Sequence, residues 1–196
     1  FGEDPLPYFM EPAMSPYATP ELYAEYPLVL TTGGRDYASF HTEHRQIPSL
    51  RHITPDPLVT IHPETAARYG INDGDYVCIE NPYGKCVERA RVTKEVEPRV
   101  IHATHGWWFP EDDPEAPGLY GTWKANINKL LPGFKVGKLG YGAPYKNVLC
   151  KIYKVDGYDA GDSNPAEYQP PASRGPESMT KGTPSPMSYE AKHAGE

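Results

Sequence analysis

The middle of the chain consists of short apolar stretches separated by turns rich in glycine and proline. In the last stretch, Val148, Cys150 and Ile152 fall on one face, which is the period-two pattern of a strand with one buried side. These strands with one small helix predict a mainly β fold, a compact β-barrel, because a doubly wound fold needs several longer crossover helices. Five or six short strands are expected, at residues 26–32, 58–61, 76–81, 86–93, 100–104 and 147–155.

One short helix and one hairpin are marked by the residues at their ends. Pro63 suits the first position of a helix, Glu64 is favoured there by the helix dipole, and Gly70 is a typical C-terminal cap. The turn residues 82–85 lie between two alternating stretches. The pattern therefore predicts a helix over residues 63–70 and a β-hairpin around the turn.

The two ends of the chain lack this periodicity. Residues 1–25 are rich in proline and tyrosine and predict an extended arm that needs another surface to lie on. Residues 156–196 contain no Val, Ile, Leu, Phe or Trp, so we expect this tail to be disordered unless a partner surface holds it. The folded domain is therefore expected at residues 26–155. The start at Phe1 favours a processed protein or an excised piece of a longer one.

Composition excludes several classes of function. The 196 residues carry a formal net charge of −7, so the chain lacks the basic surface that nucleic-acid binding requires. No apolar run approaches the roughly 18 residues that span a bilayer, so no membrane span is expected. The three cysteines, an odd number without CxxC spacing, are expected to be buried thiols. The 23 prolines, 18 glycines and 15 tyrosines indicate a loop-rich β domain with aromatic contacts in its loops.

The common catalytic and nucleotide-binding motifs are absent from the sequence. No GxGxxG follows a predicted strand, no GxSxG elbow occurs, and residues 133–138 lack the spacing of a phosphate loop. His41 and His44, and again His102 and His105, are spaced three apart, as zinc ligands can be on a helix. Both pairs lie in or beside strands and loops, so we predict neither a metal site nor a catalytic residue.

Four loops carry side chains suited to a polar, anionic and planar ligand. Residues 31–35, TTGGR, place hydroxyls, adjacent glycines and a guanidinium after a strand, where backbone amides can approach a phosphate. A tight turn with a surface arginine explains this loop equally well. Residues 105–110, HGWWFP, join an imidazole to three large aromatics, which indicates burial against a ligand, another domain or a local hydrophobic cluster.

The other two loops also leave alternatives open. The two asparagines in residues 126–130, NINKL, can bind the edges of a heterocycle or cap a short helix. Lys146 ends the loop 140–146, GYGAPYK, and can neutralise a phosphate or remain in solvent. Each loop by itself is therefore weak evidence for a ligand, and their order along the chain carries more.

In this order and spacing, the loops and strands resemble the molybdopterin-dinucleotide-binding domain of the dimethyl sulfoxide reductase family of molybdopterin oxidoreductases. The similarity is strongest at residues 26–42, 59–77 and 105–130. This chain has two glycines before Arg35 where the family usually has one, and His62 where the family more often has Asn. Its YPL and GWW segments are most similar to the thiosulfate and polysulfide reductase-like branch.

The resemblance implies a six-stranded double-psi β-barrel with short helices and long loops. It implies a bis(molybdopterin guanine dinucleotide) cofactor with Mo or W, shared with the remaining domains of one catalytic subunit. An iron–sulfur electron-transfer subunit is compatible with this family as a further partner. The metal ligand and any export signal would lie in earlier domains, so the domain alone is not expected to be active. The cofactor-binding residues that the resemblance implies are Thr32, Gly33, Gly34, Arg35, His41, Thr42, His105, Gly106, Trp107, Asn128, Tyr145 and Lys146.

Two other functions are compatible with the residues alone. A double-psi barrel can serve as a protein-interaction module without a cofactor, using the aromatic loop and the tyrosine-rich arm. A stand-alone hydrolase or decarboxylase is disfavoured, because no pair of nucleophile and base can be nominated. An open reading frame extending several hundred codons upstream of Phe1 favours the oxidoreductase, and a start codon there favours the interaction module.

Overall fold

Six short strands form a closed β-barrel in the computed structural model, which describes residues 11–132 and 146–157 together with Leu6 and Phe9. Among the described residues, one short helix precedes the first strand, and three short helices and one 3-10 helix lie in the loops between strands. The strands are β1 Leu28–Thr31, β2 Leu58–Ile61, β3 Tyr76–Asn81, β4 Gly84–Val92, β5 Val100–Ala103 and β6 Val148–Lys154. The helices are α1 Pro20–Glu25, α2 Pro48–Arg51, α3 Pro63–Tyr69, α4 Thr122–Ala125 and the 3-10 helix Ile127–Leu130.

Around the barrel the strands follow the order β1, β5, β2, β4, β3, β6. Strand β1 is parallel to β5 and β2 is parallel to β4, whereas all other neighbouring strands are antiparallel. His102 of β5 lies opposite Thr31 of β1 on one side and Thr60 of β2 on the other. This closed mixed barrel confirms the six-stranded double-psi fold that the resemblance implied.

The predicted strands are confirmed in position and type. Strands β2 and β3 have the predicted bounds, and β1, β5 and β6 are somewhat shorter than the apolar stretches that predicted them. The hairpin turn is tighter than expected, because β4 already begins at Gly84, opposite Asn81. Period-two alternation locates these strands well because each has one buried face.

The predicted helix is also confirmed, together with the residues that end it. Pro63 lies in the first turn of α3, and the Nδ1 atom of His62 accepts a hydrogen bond from the Glu64 amide at 3.2 Å. Gly70 follows the helix with a left-handed φ of 64°, which a glycine adopts without the clash that a Cβ would cause. The sequence therefore predicted both ends of this helix from local chemistry.

The other three α-helices were not predicted, because an element of one or two turns leaves no apolar repeat to detect. One of them, α1, lies inside residues 1–25, which were predicted to be extended. It has a proline in its first turn, and its Leu22 and Tyr23 pack against the barrel core. The end of the predicted arm is therefore helical and attached to the barrel. The predicted tail, apart from residues 156–157, lies outside the described residues.

None of the helices among the described residues has both the length and the apolar character needed to cross a membrane. The barrel encloses one core of aliphatic side chains, into which the strands point alternate residues. The prediction of buried thiols is confirmed for Cys78, Cys86 and Cys150, which are all free and buried. Burial raises the pKa of all three thiols, so they contribute to packing as small apolar groups.

One acidic side chain lies among these apolar residues. Glu88 has no exposed surface, and it shares the buried face of β4 with Cys86 and Ala90. Its Oε2 atom accepts a hydrogen bond from the Thr104 amide at 3.0 Å, whereas Oε1 has no partner among the described residues. Burial raises the pKa of this carboxyl well above its ordinary value, because the apolar surroundings disfavour its charged form.

The wild type should lose stability as the pH rises, because Glu88 is buried, and the Glu88→Gln variant should not show this loss. Above the ordinary glutamate pKa the unfolded chain loses the proton while the folded chain keeps it, so rising pH favours unfolding. Relative to the variant, the free energy of unfolding of the wild type should fall by about 1.4 kcal/mol per pH unit until the raised folded-state pKa is reached. Urea unfolding of both proteins from about pH 5 to about pH 8, the range in which proteins are usually most stable, measures this difference in free energy. A difference that does not vary with pH would contradict it.

Candidate functional site

A pair of histidines connects two of the predicted loops. The Nδ1 atom of His41 lies 2.6 Å from the Nε2 atom of His105, 64 positions away along the chain. At this distance one nitrogen must donate and the other accept, so the two atoms share one proton. Burial lowers the pKa of His105, and the neighbouring basic side chains lower it further. One of these two facing nitrogens therefore carries no proton.

Gly106 allows these two loops to touch. Its φ is +63°, and a Cβ at this position would lie 2.6 Å from the Thr42 Cγ2 atom and 3.1 Å from the His41 carbonyl oxygen. The Trp108 indole Nε1 donates to the Thr42 carbonyl oxygen at 2.6 Å, which holds the same two segments together. Only a residue without a side chain fits between them.

The glycine pair after β1 meets two further basic groups. A Cβ on Gly33, whose φ is +80°, would lie 3.5 Å from the Lys146 Nζ atom. A Cβ on Gly34 would lie 2.7 Å from the His102 Nε2 atom, closer than real side chains allow. Burial lowers the pKa of His102, and the positive charge of Lys146 lowers it further. The backbone of residues 33–34 is thus exposed directly to a lysine and an imidazole.

A cleft of about 410 Å³ opens beside these glycines. Gly34, Arg35, Asp36 and His102 line it together with residues 53–55. Arg35 is exposed, with its Cζ atom 4.2 Å from the centre of the Phe40 ring. The cleft therefore offers a guanidinium, an imidazole and glycine backbone to a ligand of substantial size.

Thr32 Oγ1 and His105 Nδ1 are among the buried polar atoms of this region that lack a partner among the described residues. Buried donors and acceptors are normally satisfied, so such atoms indicate a ligand, a water or another part of the protein. The donor set of amides, hydroxyl, imidazoles, lysine and arginine fits an anionic dinucleotide attached to a planar heterocycle.

Most of the predicted cofactor-binding residues converge at this end of the barrel. Thr32, Gly33, Gly34, Arg35, His41, Thr42, His105, Gly106 and Lys146 belong to the segments that meet there. Trp107 lies behind them as a buried side chain whose indole nitrogen has no described partner. Tyr145 lies outside the described residues.

Asn128 lies in a different setting. It is exposed on the 3-10 helix, and its amide donates to the Asn126 side chain at 3.1 Å. Asn126 therefore caps this helix, which was one of the two interpretations left open by the sequence. No hydrogen bond, ion pair or ring contact among the described residues joins Asn128 to the histidine pair. Its role toward a ligand stays a prediction.

Two residues of the site were not predicted as ligand-binding. His102 drew attention only as half of a weak metal-binding pair, yet it forms part of the cleft wall. Its alternation with buried Ile101 and Ala103 in β5 was the available signal that it faces away from the core. The sequence offered no such signal for Arg45, because its position depends on its stacking over Trp107, which lies far away along the chain. No group of three or more His, Cys, Asp or Glu side chains suited to a metal occurs in the described part of the chain.

The chain belongs to the molydopterin dinucleotide binding domain family, whose model matches residues 28–149. It is 37% identical over 161 residues to dopamine dehydroxylase from Eggerthella lenta, covering 82% of this chain and 15% of that protein. It is 35% identical over 168 residues to acetylene hydratase from Syntrophotalea acetylenica, covering 78% of this chain and 22% of that protein. The resemblance to the dimethyl sulfoxide reductase family is thereby confirmed, and with it the binding of a molybdopterin cofactor.

A solved structure shows the same fold. The chain matches acetylene hydratase from Pelobacter acetylenicus with a TM-score of 0.73 and 29% identity, over 79% of this chain and 22% of that one. The chain thus spans between 15% and 22% of the length of these relatives. It corresponds to one domain of much longer proteins.

Gly106→Ala should destabilise the protein more than Gly70→Ala does. Both glycines have a left-handed φ, so each substitution carries a similar backbone cost of about 1–2 kcal/mol. Only the Cβ at Gly106 also collides with Thr42 and His41, whereas nothing lies within 4 Å of a Cβ at Gly70. Urea unfolding of the two variants compares these costs directly. Equal losses would show that the close contact of the two loops is not required.

Proposed function

We propose that this domain holds a bis(molybdopterin guanine dinucleotide) cofactor carrying Mo or W, as the C-terminal domain of a larger oxidoreductase catalytic subunit. The observation that carries the proposal is the meeting of residues 32–35, 41–42, 105–106 and Lys146 at one end of the barrel. When bound, the cofactor supplies a metal centre for two-electron chemistry. This chain contributes binding and orientation.

The dinucleotide portion is assigned to the segments that follow β1. Arg35 can bind a phosphate through two parallel N–H donors, and the amides of Gly33 and Gly34 can approach a phosphate without steric hindrance. The Thr32 hydroxyl, which has no partner among the described residues, adds a further donor or acceptor. His41 and Thr42 complete this part of the proposed site.

The pterin portion and its pyrophosphate are assigned to the segment after β5 and to the start of β6. His105 offers its Nδ1 atom, which has no partner among the described residues, and Gly106 lets the two loops come into contact beside it. Lys146 adds a positive charge next to the backbone at Gly33. The remaining residues proposed for this part are Trp107, Asn128 and Tyr145.

Exposed apolar side chains near the cleft support the presence of further domains. Tyr37 is 95% exposed and Ile53 is 54% exposed, and both lie among the cleft residues. Phe40, beside Arg35, is also exposed. Clustered apolar surface of this kind is typical of an interface with another domain or protein. We propose that the remaining domains of the same subunit cover it, and an iron–sulfur electron-transfer subunit is a further proposed partner.

Arg35→Ala in the complete enzyme should lower cofactor occupancy without unfolding the barrel. A charge-assisted hydrogen bond contributes about 1.5–3 kcal/mol, so cofactor affinity should fall roughly tenfold or more. The barrel should persist because Arg35 is exposed and makes no ion pair among the described residues. Metal analysis and pterin fluorescence of the purified variant measure the occupancy.

Arg68→Ala provides the matched control, since Arg68 is an exposed arginine on α3. It removes the same charge from the chain and should leave the occupancy unchanged. Unchanged occupancy in the Arg35 variant would argue against its role as a phosphate ligand. Equal losses in both variants would indicate an effect of net charge instead of a specific contact.

A further inference from the structure

The proposed cofactor site contains a histidine with no assigned role, His102 of β5. The strand pairing places it opposite Thr31 on one side and Thr60 on the other. Its side chain is half-buried and lines the cleft. The Nε2 and Cε1 atoms of the ring lie 2.7 Å and 2.8 Å from the position that a Cβ on Gly34 would occupy. One edge of the imidazole therefore lies directly against the Gly34 backbone, in the wall of the cleft.

His102 has hydrogen-bonding capacity left for a ligand. Among the described residues, neither ring nitrogen of His102 makes a hydrogen bond, whereas the imidazoles of His41 and His105 contact each other at 2.6 Å. The cleft that His102 lines has a volume of about 410 Å³, which is ample room for a phosphate group and the atoms attached to it. A ligand in this cleft can therefore reach the ring of His102.

Cationic groups lie near His102 on two other segments. Burial lowers the pKa of His102, and the charge of Lys146, just before β6, lowers it further. Arg35, which follows β1, lines the same cleft, and its guanidinium stacks on the Phe40 ring. Neither Lys146 nor Arg35 forms an ion pair with an acidic side chain among the described residues. His105 is also close enough for the two imidazoles to repel each other when both are charged.

The other charged residues of the cleft have partners. Arg91 of β4 is paired with Glu95, with 2.6 Å between its Nη2 atom and Glu95 Oε2. Asp36 is the only acidic side chain among the described residues that line the cleft. Its Oδ1 atom accepts hydrogen bonds from the Ala38 amide at 3.2 Å and the Thr54 hydroxyl at 3.1 Å. The positive charge around His102 is therefore only partly balanced.

We propose that His102 is a further cofactor-binding residue, which takes up one proton from solvent and donates it in a hydrogen bond to a phosphate oxygen of the dinucleotide. This inference rests on the proposed function. Lys146 and Arg35 make a third positive charge unfavourable while no anion is bound. A phosphate reverses the balance, because its negative charge favours the imidazolium and accepts a charge-assisted hydrogen bond from it.

Cofactor binding and proton uptake by His102 are then linked. Without the cofactor, the lowered pKa leaves the ring mostly neutral at about pH 7, since an unperturbed histidine titrates near pH 6.5. With the cofactor, the phosphate raises the pKa. Between the two pKa values the bound state holds more protons, so affinity rises as the pH falls. Each unit of increase in the pKa corresponds to about tenfold in affinity.

Cofactor retention by the complete enzyme at different pH values tests this proposal. Wild type and His102→Gln are incubated from about pH 5.5 to about pH 8.5, which brackets the ordinary histidine pKa. The pterin that each protein releases is separated and measured by fluorescence. Glutamine can form a hydrogen bond but cannot take up a proton. The wild type should therefore retain the cofactor several-fold longer than the variant at the acidic end, and the two should converge at the alkaline end.

His52→Gln is the matched control, because His52 is exposed and is not one of the residues that line the cleft. It should follow the wild type at every pH. His102→Lys keeps a positive charge throughout this range, so its retention relative to the wild type should improve as the pH rises. This second comparison carries the test if circular dichroism shows that His102→Gln does not fold.

The pH dependence separates a ligand contact from a packing role. A difference between wild type and His102→Gln that is the same at every pH, or no difference at all, would overturn the proposal. Absence of pterin from the wild-type enzyme would instead contradict the proposed function of the domain. The two failures are therefore distinguishable.

Discussion

The arrangement of the site depends on the backbone pairing of β1 with both β5 and β6. Strand β1 runs parallel to β5, with Thr31 opposite His102, so both strands end at the same edge of the barrel. Strand β6 is antiparallel to β1, with Val148 opposite Leu30, so the start of β6 lies at that edge too. At this edge three segments therefore meet, namely the loop of residues 31–35 after β1, the loop of residues 105–110 after β5, and Lys146 just before β6. The pairing of the strands thus brings together loops that are far apart in the sequence.

This convergence concentrates positive charge and glycine backbone at one end of the barrel. Glycines at positions 34 and 106 permit the close approach, because side chains there would collide with His102 or Thr42, and Gly33 adopts a left-handed φ of +80°. Burial and mutual repulsion lower the pKa values of His102 and His105, which favours neutral imidazoles beside cationic groups. An anionic cofactor would relieve this repulsion, so the electrostatics of these loops agree with the chemistry of the family's ligand. Behind the site, the stacked Arg45 and Trp107 support the loop from inside.

Much of the fold was predictable because its determinants are local. A proline, an acidic residue and a glycine at fixed spacing define α3, and alternation of apolar residues defines the strands. The other short helices were not predicted, because one or two helical turns are too short to show a repeating pattern of apolar residues. Asn126 illustrates the limit of local reasoning. An asparagine before a short apolar segment suits a helix cap and a heterocycle ligand equally, and only the hydrogen bond to the Asn128 amide identifies the cap.

The sequence by itself determined the strands, the turn chemistry, the buried cysteines and the four loops that resemble the family. The tertiary structure alone decided which of those loops touch. The contact between His41 and His105 joins residues 64 positions apart, and Lys146 reaches Gly33 across a still longer separation. The burial of Glu88 and Arg45 was equally hidden, since polar residues are mostly exposed and no local pattern marks an exception. Such contacts depend on strand register and barrel closure, which are properties of the whole chain.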